Sequence, residues 1–168
     1  SHLDFNAKIQ EDALFRYAQL AYELSNNPYD EAIEAFQTYL ATYPNSERAD
    51  DAYQYLINVY MTTRNYDAAI ASLEKVEKKD VRLQSAYQMV VFNRAVELYS
   101  NKKIDDAIAN FKKVKTYPID PKLNSASMYW LGESHYQKEQ WKTARDWYEK
   151  FLQEPGAFSS DLFGVAHY

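Results

Sequence analysis

The chain has 168 residues, one domain's worth, with a formal net charge of −5 and no cysteine. The missing thiols exclude disulfides, thiol catalysis and thiolate metal sites, and the acidic balance argues against nucleic acid, which draws a basic footprint. Three Gly, five Pro and 16% aromatic residues, with sixteen Tyr, favour helices joined by short turns over a β design; the longest apolar run, Met89 to Phe92, is far short of the roughly 20 residues of a membrane-spanning helix.

In chain order, residues 11–24 place Leu14, Tyr17, Ala18, Ala21 and Tyr22 at helical spacing, with Leu24 beside them. Ser25-Asn26-Asn27-Pro28 ends that helix, because Ser and Asn suit turns and Pro suits the first turn of the next helix. A second helix is predicted over Tyr29–Thr42, with Ile33, Phe36, Tyr39 and Leu40 inward. Tyr43-Pro44-Asn45-Ser46 stops it, and Ser46 reads as the N-cap of a third helix over Glu47–Thr62 whose inward residues are Ala52, Tyr53, Leu56, Ile57 and Tyr60. Arg64-Asn65 turns the chain into a fourth helix over Tyr66–Lys78. Helices over Val81–Tyr99 and Ile104–Thr116 flank a turn at Ser100-Asn101-Lys102-Lys103. Tyr117-Pro118-Ile119-Asp120-Pro121 is the longest break, since two prolines prevent helix continuation. The last pair runs over Lys122–Lys138 and Trp141–Gln153 and ends at Glu154-Pro155-Gly156. Ser159-Ser160-Asp161 then reads as the cap of a further helix from Leu162.

The segment Tyr29-Asp30-Glu31-Ala32-Ile33-Glu34-Ala35-Phe36 recurs three times, at Tyr66 to Leu73, Ile104 to Phe111 and Trp141 to Tyr148. Its small residue falls at Ala32, Ala69, Ala107 and Ala144, giving spacings of 37, 38 and 37 residues. Such a period means stacked supersecondary units, not one globular core. The repeats run over about 11–46, 47–83, 84–121 and 122–158, with a partial fifth over 159–168. An interior repeat leaves an apolar face that needs a neighbour, so the chain is expected to be a segment of a longer array. Asp50-Asp51 and Asp105-Asp106 stand at predicted helix N-termini, where the helix dipole favours them. Lys78-Lys79, Lys102-Lys103 and Lys112-Lys113-Lys115 read as solvated faces and helix C-terminal charges. No Gly-rich phosphate loop, H-E-x-x-H or paired metal spacing is present. Ser134 beside His135 suggests a nucleophile pair, but a packing or hydrogen-bonding role is preferred, because catalysis needs convergent geometry. Trp141, Trp147, Tyr148, Tyr66 and Phe36 are expected in the core by repeat position.

Trp130-Leu131-Gly132-Glu133-Ser134-His135-Tyr136, followed by Trp141, Ala144, Tyr148 and Pro155, resembles the tetratricopeptide repeat (TPR): Leu-Gly, an aromatic pair, a small Ala, a large aromatic and a Pro. The second unit matches through Leu56, Tyr60, Tyr66, Ala69 and Leu73, with Ile57 where the family has Gly. The third matches through Ala95, Leu98, Tyr99, Ala107 and Phe111, and the first through Ala18, Tyr22, Ala32, Phe36 and Pro44, with two extra residues in its turn. The resemblance implies an all-α fold, a right-handed superhelix of four helix-turn-helix repeats plus the first helix of a fifth. It implies a non-catalytic scaffold or adaptor that binds a peptide or partner protein on the concave face. Carried over residue by residue, the family's groove positions are Gln54, Asn58 and Met61, then Phe92, Val96 and Tyr99, then Tyr129, Glu133 and Tyr136, with Phe15, Gln19 and Tyr22 in the first unit. A competing reading has some of these rings packing only against neighbouring repeats. Thr62, Ser100 and Gln137 stand where a basic clamp for an acidic chaperone tail would need Lys or Arg, so that ligand is not implied. Neither are a cofactor, a metal, nucleic acid or membrane insertion. The rival readings are a structural spacer that self-associates through its terminal repeat, and an accessory domain of an enzyme whose catalytic part lies outside this segment. The joint Tyr43-Pro44-Asn45-Ser46-Glu47-Arg48-Ala49-Asp50-Asp51-Ala52, echoed at Tyr117-Pro118 and Glu154-Pro155, resembles those of bacterial cell-envelope repeat proteins of the outer-membrane assembly lipoprotein and Tol-Pal-associated type. That likeness implies a periplasmic or cell-envelope setting, with the cytoplasm as the alternative.

Overall fold

The computed structural model describes residues 2–24, 30–155 and 157, and the chain divides into two compact units, Ser1–Glu77 and Lys78–Tyr168. Among the described residues all regular structure is helical. The first unit holds α1 (His2–Leu24), α2 (Asp30–Thr42), α3 (Ala49–Thr62) and α4 (Tyr66–Glu74). The second holds α5 (Val81–Ser100), α6 (Ile104–Lys113) with a 3-10 turn (Val114–Thr116), α7 (Pro121–Gln137) and α8 (Trp141–Gln153). The turn expected at Ser25 to Pro28, Tyr29, Gly156 and the expected helix from Leu162 lie outside the described residues.

Each unit is two helical hairpins laid side by side: α1–α2 and α3–α4 with α2 packed on α3, then α5–α6 and α7–α8 with α6 packed on α7. The repeated alanines occupy corresponding places at the crossings. Ala32, Ala69 and Ala107 are fully buried and Ala144 nearly so, because a methyl group is what lets two helix backbones approach closely. The rings written four residues later close the space beside them. Phe36 and Phe111 are fully buried; Phe36 stacks on Tyr55 at 4.9 Å and meets Phe15 edge-on. In the second unit Ala95, Leu98, Ala107, Ile108, Phe111 and Leu131 form one apolar cluster, and Met128, Tyr129, Phe151 and Ala157 another.

Three hairpin turns share one geometry. Arg64, Lys102 and Glu139 each take positive φ, at 56°, 60° and 58°. The residue after each donates its N–H five residues back, Asn65 to Tyr60, Lys103 to Leu98 and Gln140 to His135. This is the Schellman ending of a helix, which ordinarily recruits Gly because a side chain costs about 1–2 kcal/mol in the left-handed region. Lys102→Gly is therefore expected to raise stability by up to about 1 kcal/mol, part of the gain being lost to the entropy of the unfolded glycine. A urea melt of the variant beside the parent checks it, and an unchanged or lowered midpoint refutes it.

The joints after the second helix of each hairpin are fixed by side chains that periodicity does not reveal. Ser46 is not the N-cap of α3, which begins at Ala49 instead of Glu47 with Arg48 at the cap position. The Ser46 hydroxyl instead donates to the Glu11 carboxylate, which also accepts from Tyr39 at 2.9 Å, and Ser46 Oγ accepts from the Arg48 N–H at 3.0 Å. In the second unit the fully buried Gln88 amide closes a two-way bond with the Asp120 backbone, donating at 3.1 Å and accepting at 2.7 Å. Asn124 likewise reaches from α7 to the Glu154 carboxylate. The Ser46 and Tyr39 hydroxyls, in that order, hold the Glu11 carboxyl below its ordinary range. A folded-state pKa below the unfolded one contributes stability above the unfolded value that disappears as pH falls through the folded value. Acidification below about pH 4.5 is accordingly expected to destabilise the parent more than Glu11→Gln; melts of both proteins from pH 6 to 3 check this, and parallel profiles remove the assignment.

Several predicted boundaries and burials change. The helix expected over 11–24 begins at His2, since nothing between residues 2 and 10 breaks it: that stretch has neither Gly nor Pro. Its buried residues are Phe15, Ala18 and Ala21; Tyr17 and Leu24 are exposed, and Tyr17 donates to Glu31 at 2.7 Å. Helix α4 stops at Glu74, not Lys78, because Val76 folds inward and is buried; Asp80 then caps α5 by accepting from Leu83 N–H at 2.8 Å. Tyr66, Trp147 and Tyr148 are half-buried and not fully in the core; the Lys150 ammonium lies over the Trp147 ring at 4.3 Å. Trp141 is exposed, because as the first residue of α8 its ring packs edge-on against the exposed Tyr136 at 4.9 Å instead of entering the hairpin.

Candidate interaction surface

The groove positions fall into one set per unit. In the first unit α1 and α3 present Gln19, Gln54, Tyr55 and Asn58 around a cleft of about 410 Å³ that Phe15 and Asp51 complete. Phe15 is 6% exposed and edge-on to Tyr39 at 5.1 Å, so it belongs to the core beneath the cleft and not to its rim. The Gln19 amide donates to the Tyr55 hydroxyl at 3.1 Å, and Gln54 donates to Asn58 at 3.2 Å. Tyr22 meets Tyr55 edge-on at 5.1 Å. The exposed Asn58 and the half-buried Gln54 and Met61 line one side of α3, at helical spacing.

In the second unit α5 carries Phe92, Val96 and Tyr99 along one of its own sides, each half-buried against the cluster around Phe111. Phe92 is edge-on to Phe111 at 5.9 Å, and Tyr99 edge-on to Trp130 at 5.0 Å. Helix α7 adds Tyr129, Glu133 and Tyr136. Tyr129 is only 7% exposed, because it packs between Trp130, Tyr148 and Phe151. Glu133 is half-buried and accepts from the Tyr148 hydroxyl at 2.6 Å. Tyr136 is 54% exposed. Gln137 donates to the Tyr99 hydroxyl at 2.9 Å and thereby ties α7 to α5.

Electrostatics follow from that packing. Burial, then the Glu133 charge, push the Tyr99 and Tyr129 phenols above their ordinary range. Burial and the bond to Glu133 push Tyr148 well above it. All three phenols stay neutral at physiological pH; Tyr148 donates to Glu133, and Tyr99 accepts from Gln137. The sequence named Tyr99, Tyr129, Glu133 and Tyr136, and placed Gln137 along the groove only as a position without a basic clamp residue; it placed Tyr148 in the core and left Trp130 out of the surface. Tyr148 carries a signal in hindsight, as a polar-tipped ring where the other copies have Phe or Leu.

The pairs that suggested chemistry are engaged elsewhere. The Ser134 hydroxyl, fully buried, donates to the Trp130 carbonyl at 2.6 Å. His135 bonds through Nδ1 to the Gln140 side chain at 2.6 Å. Thr62 and Ser100 fold their hydroxyls back on the carbonyls of Asn58 and Val96, at 2.9 Å each. Among the described residues no group of three or more His, Cys, Asp or Glu could hold a metal ion, and no helix is long and apolar enough to cross a membrane.

Two family models, each described as tetratricopeptide repeat, match residues 23–91 and 92–160. A protein described as TPR repeat-containing, from Methanocaldococcus jannaschii, is 30% identical over 99 residues. That match covers 58% of this chain and 30% of the relative, so the chain spans less than a third of the length of the curated relative it matches.

Proposed function

The chain belongs to the tetratricopeptide-repeat family, whose repeats generally mediate protein–protein interaction, and from that premise we propose that it is a non-catalytic scaffold or adaptor that binds a peptide or partner protein on the faces that the first helices of the hairpins form within each unit. The observation that carries this reading is the α5–α7 face. Tyr99, Glu133, Tyr136 and Gln137 stand there on two rigid helices, with the Tyr99 and Gln137 side chains already locked together. Rigid rings with polar tips give large contact area at low entropic cost, which is the usual make-up of an energetic centre in an interface.

The test is selection of peptides from a random display library on the whole chain. Tyr136→Ala and Asn58→Ala remove exposed groups from the two faces, so neither threatens the fold. We expect at least one of them to weaken each selected peptide about tenfold or more, and Lys112→Ala on the exposed side of α6 to leave affinity unchanged. Binding indifferent to both face substitutions abandons the reading.

The cellular setting we propose is a bacterial periplasm or cell envelope. Its support is the joint Tyr43-Pro44-Asn45-Ser46 with the alanines that follow at Ala49 and Ala52. A secretion signal ahead of this segment in the parent reading frame is the expected finding; a cytoplasmic fractionation of the native protein would remove it.

A further inference from the structure

We infer that the α5–α7 face receives a basic side chain, Lys or Arg, of the bound protein, seated against the Glu133 carboxylate. This rests on the interaction reading above and adds the chemistry of the ligand to it. Of Phe92, Val96, Tyr99, Glu133, Tyr136 and Gln137, only Glu133 is charged. Its partners in the structure are neutral phenols, Tyr148 at 2.6 Å and the Tyr129 hydroxyl beside it, which is also hydrogen-bonded to the carboxylate. No Lys, Arg or His pairs with it among the described residues. Arg82 and Arg94 on α5 pair with Asp80 and Glu97, at 3.0 and 2.6 Å, and Lys138, just after α7, pairs with Asp105.

A carboxylate offers about four acceptor positions, so Glu133 has capacity left. A protein that settles on this face strips water from it. Leaving a carboxylate desolvated without a counter-charge is strongly unfavourable, and an apolar or acidic group placed there bears that cost in full. A guanidinium or ammonium reverses the sign, since it replaces the lost water with charge-assisted hydrogen bonds. The surroundings favour the same occupant. Tyr99, Trp130 and Tyr129 stand in edge-to-face contact at 5.0 and 5.6 Å, and electron-rich ring faces attract cations. The whole chain, at −5, steers a basic segment toward it.

The experiment uses the peptides selected on the whole chain, each resynthesised with its Lys replaced by norleucine or its Arg by citrulline. The expected result is a Lys or Arg at one fixed place in the selected set, a loss of at least tenfold on neutralising it, and a loss of under twofold when the same pair is measured on Glu133→Gln. That variant keeps an oxygen to accept from Tyr148, so it preserves the packing; Glu133→Lys should move the selected residue to Asp or Glu. Equal binding of charged and neutral peptides, or an equal loss on Glu133→Gln, overturns the inference. If selected peptides depend on Tyr136 or Asn58 but show no basic position, only the inference falls. If they depend on neither, or nothing is selected above background, the interaction reading falls with it.

Discussion

Gly132→Ile is expected to destabilise the α7–α8 hairpin by about 3 kcal/mol, and adding Tyr148→Leu to recover much of that loss. A Cβ built on Gly132 would lie 2.5 Å and 2.7 Å from two carbons of the Tyr148 ring. No real side chain tolerates that distance, and the ring has little room to retreat, since its hydroxyl is bonded to Glu133 and it lies against Tyr129. The remedy is written elsewhere in the chain. The repeat register pairs Gly132 with Tyr148, Ala95 with Phe111, Ala18 with Phe36, and Ile57 with Leu73. The larger residue on the first helix goes with the smaller one on the second. The double variant reproduces the Ile57 and Leu73 choice in the last hairpin. Tyr148→Leu alone should cost about 2 kcal/mol through the space it leaves and the bond it breaks. The double variant should fall short of the summed losses by at least about 1.5 kcal/mol, within the coupling range of residues in contact. Denaturant melts followed through tryptophan fluorescence measure the cycle; additive losses would mean that the two positions do not share a crossing.

Gln88→Leu is expected to cost about 2–4 kcal/mol, although it replaces a buried polar side chain with an apolar one of similar size. Gln88 is fully buried, and both ends of its amide are used by the Asp120 backbone, 32 residues away. Leucine removes both bonds: the Asp120 N–H is left to find water at a joint that packs against α5, and its C=O keeps only the Asn124 N–H at 3.1 Å. The loss should be local. Amide exchange at Asp120 and in the first turn of α7, where Asp120 also caps the helix through the Lys122 N–H at 2.8 Å, should accelerate well before that of α6. A cost under about 1 kcal/mol with unchanged protection at Asp120 would show that the joint is held by its two prolines alone.

These two residues mark where the one-dimensional reading ends. Gly132 stood out in the sequence because it sits in Leu131-Gly132 ahead of Ala144 and Tyr148, and a small residue opposite a large ring has one physical meaning wherever it recurs. Gln88 stood out nowhere. It lies beside Tyr87, Val90 and Val91, all buried, and a polar residue in such a run looks like a flaw until the partner 32 positions on is known. Asp80 and Asn124 are of the same kind, and Ser46, which the sequence offered as an N-cap, ties to Glu11 instead: caps and joint ties depend on which group ends up within about 3 Å, and periodicity is silent on that.

The interaction face divides in the same way. Helical spacing from the repeat register was enough to name Tyr99, Glu133 and Tyr136 for one side of α5 and α7. It could not say that Tyr129 is almost wholly buried, that Gln137 bonds Tyr99, or that Glu133 is surrounded by phenols without a cation.

Taken alone, the amino-acid order determined the helices, their pairing into hairpins and the residues at each crossing, because these follow from a period of 37 or 38 residues and from side-chain volume. Tertiary structure decided how the joints are tied, which rings are withdrawn from solvent, and which charge on the α5–α7 face is left without an opposite. Those outcomes depend on distances between residues far apart in the chain, and a hydrogen bond or ion pair exists only over a few tenths of an ångström of such a distance.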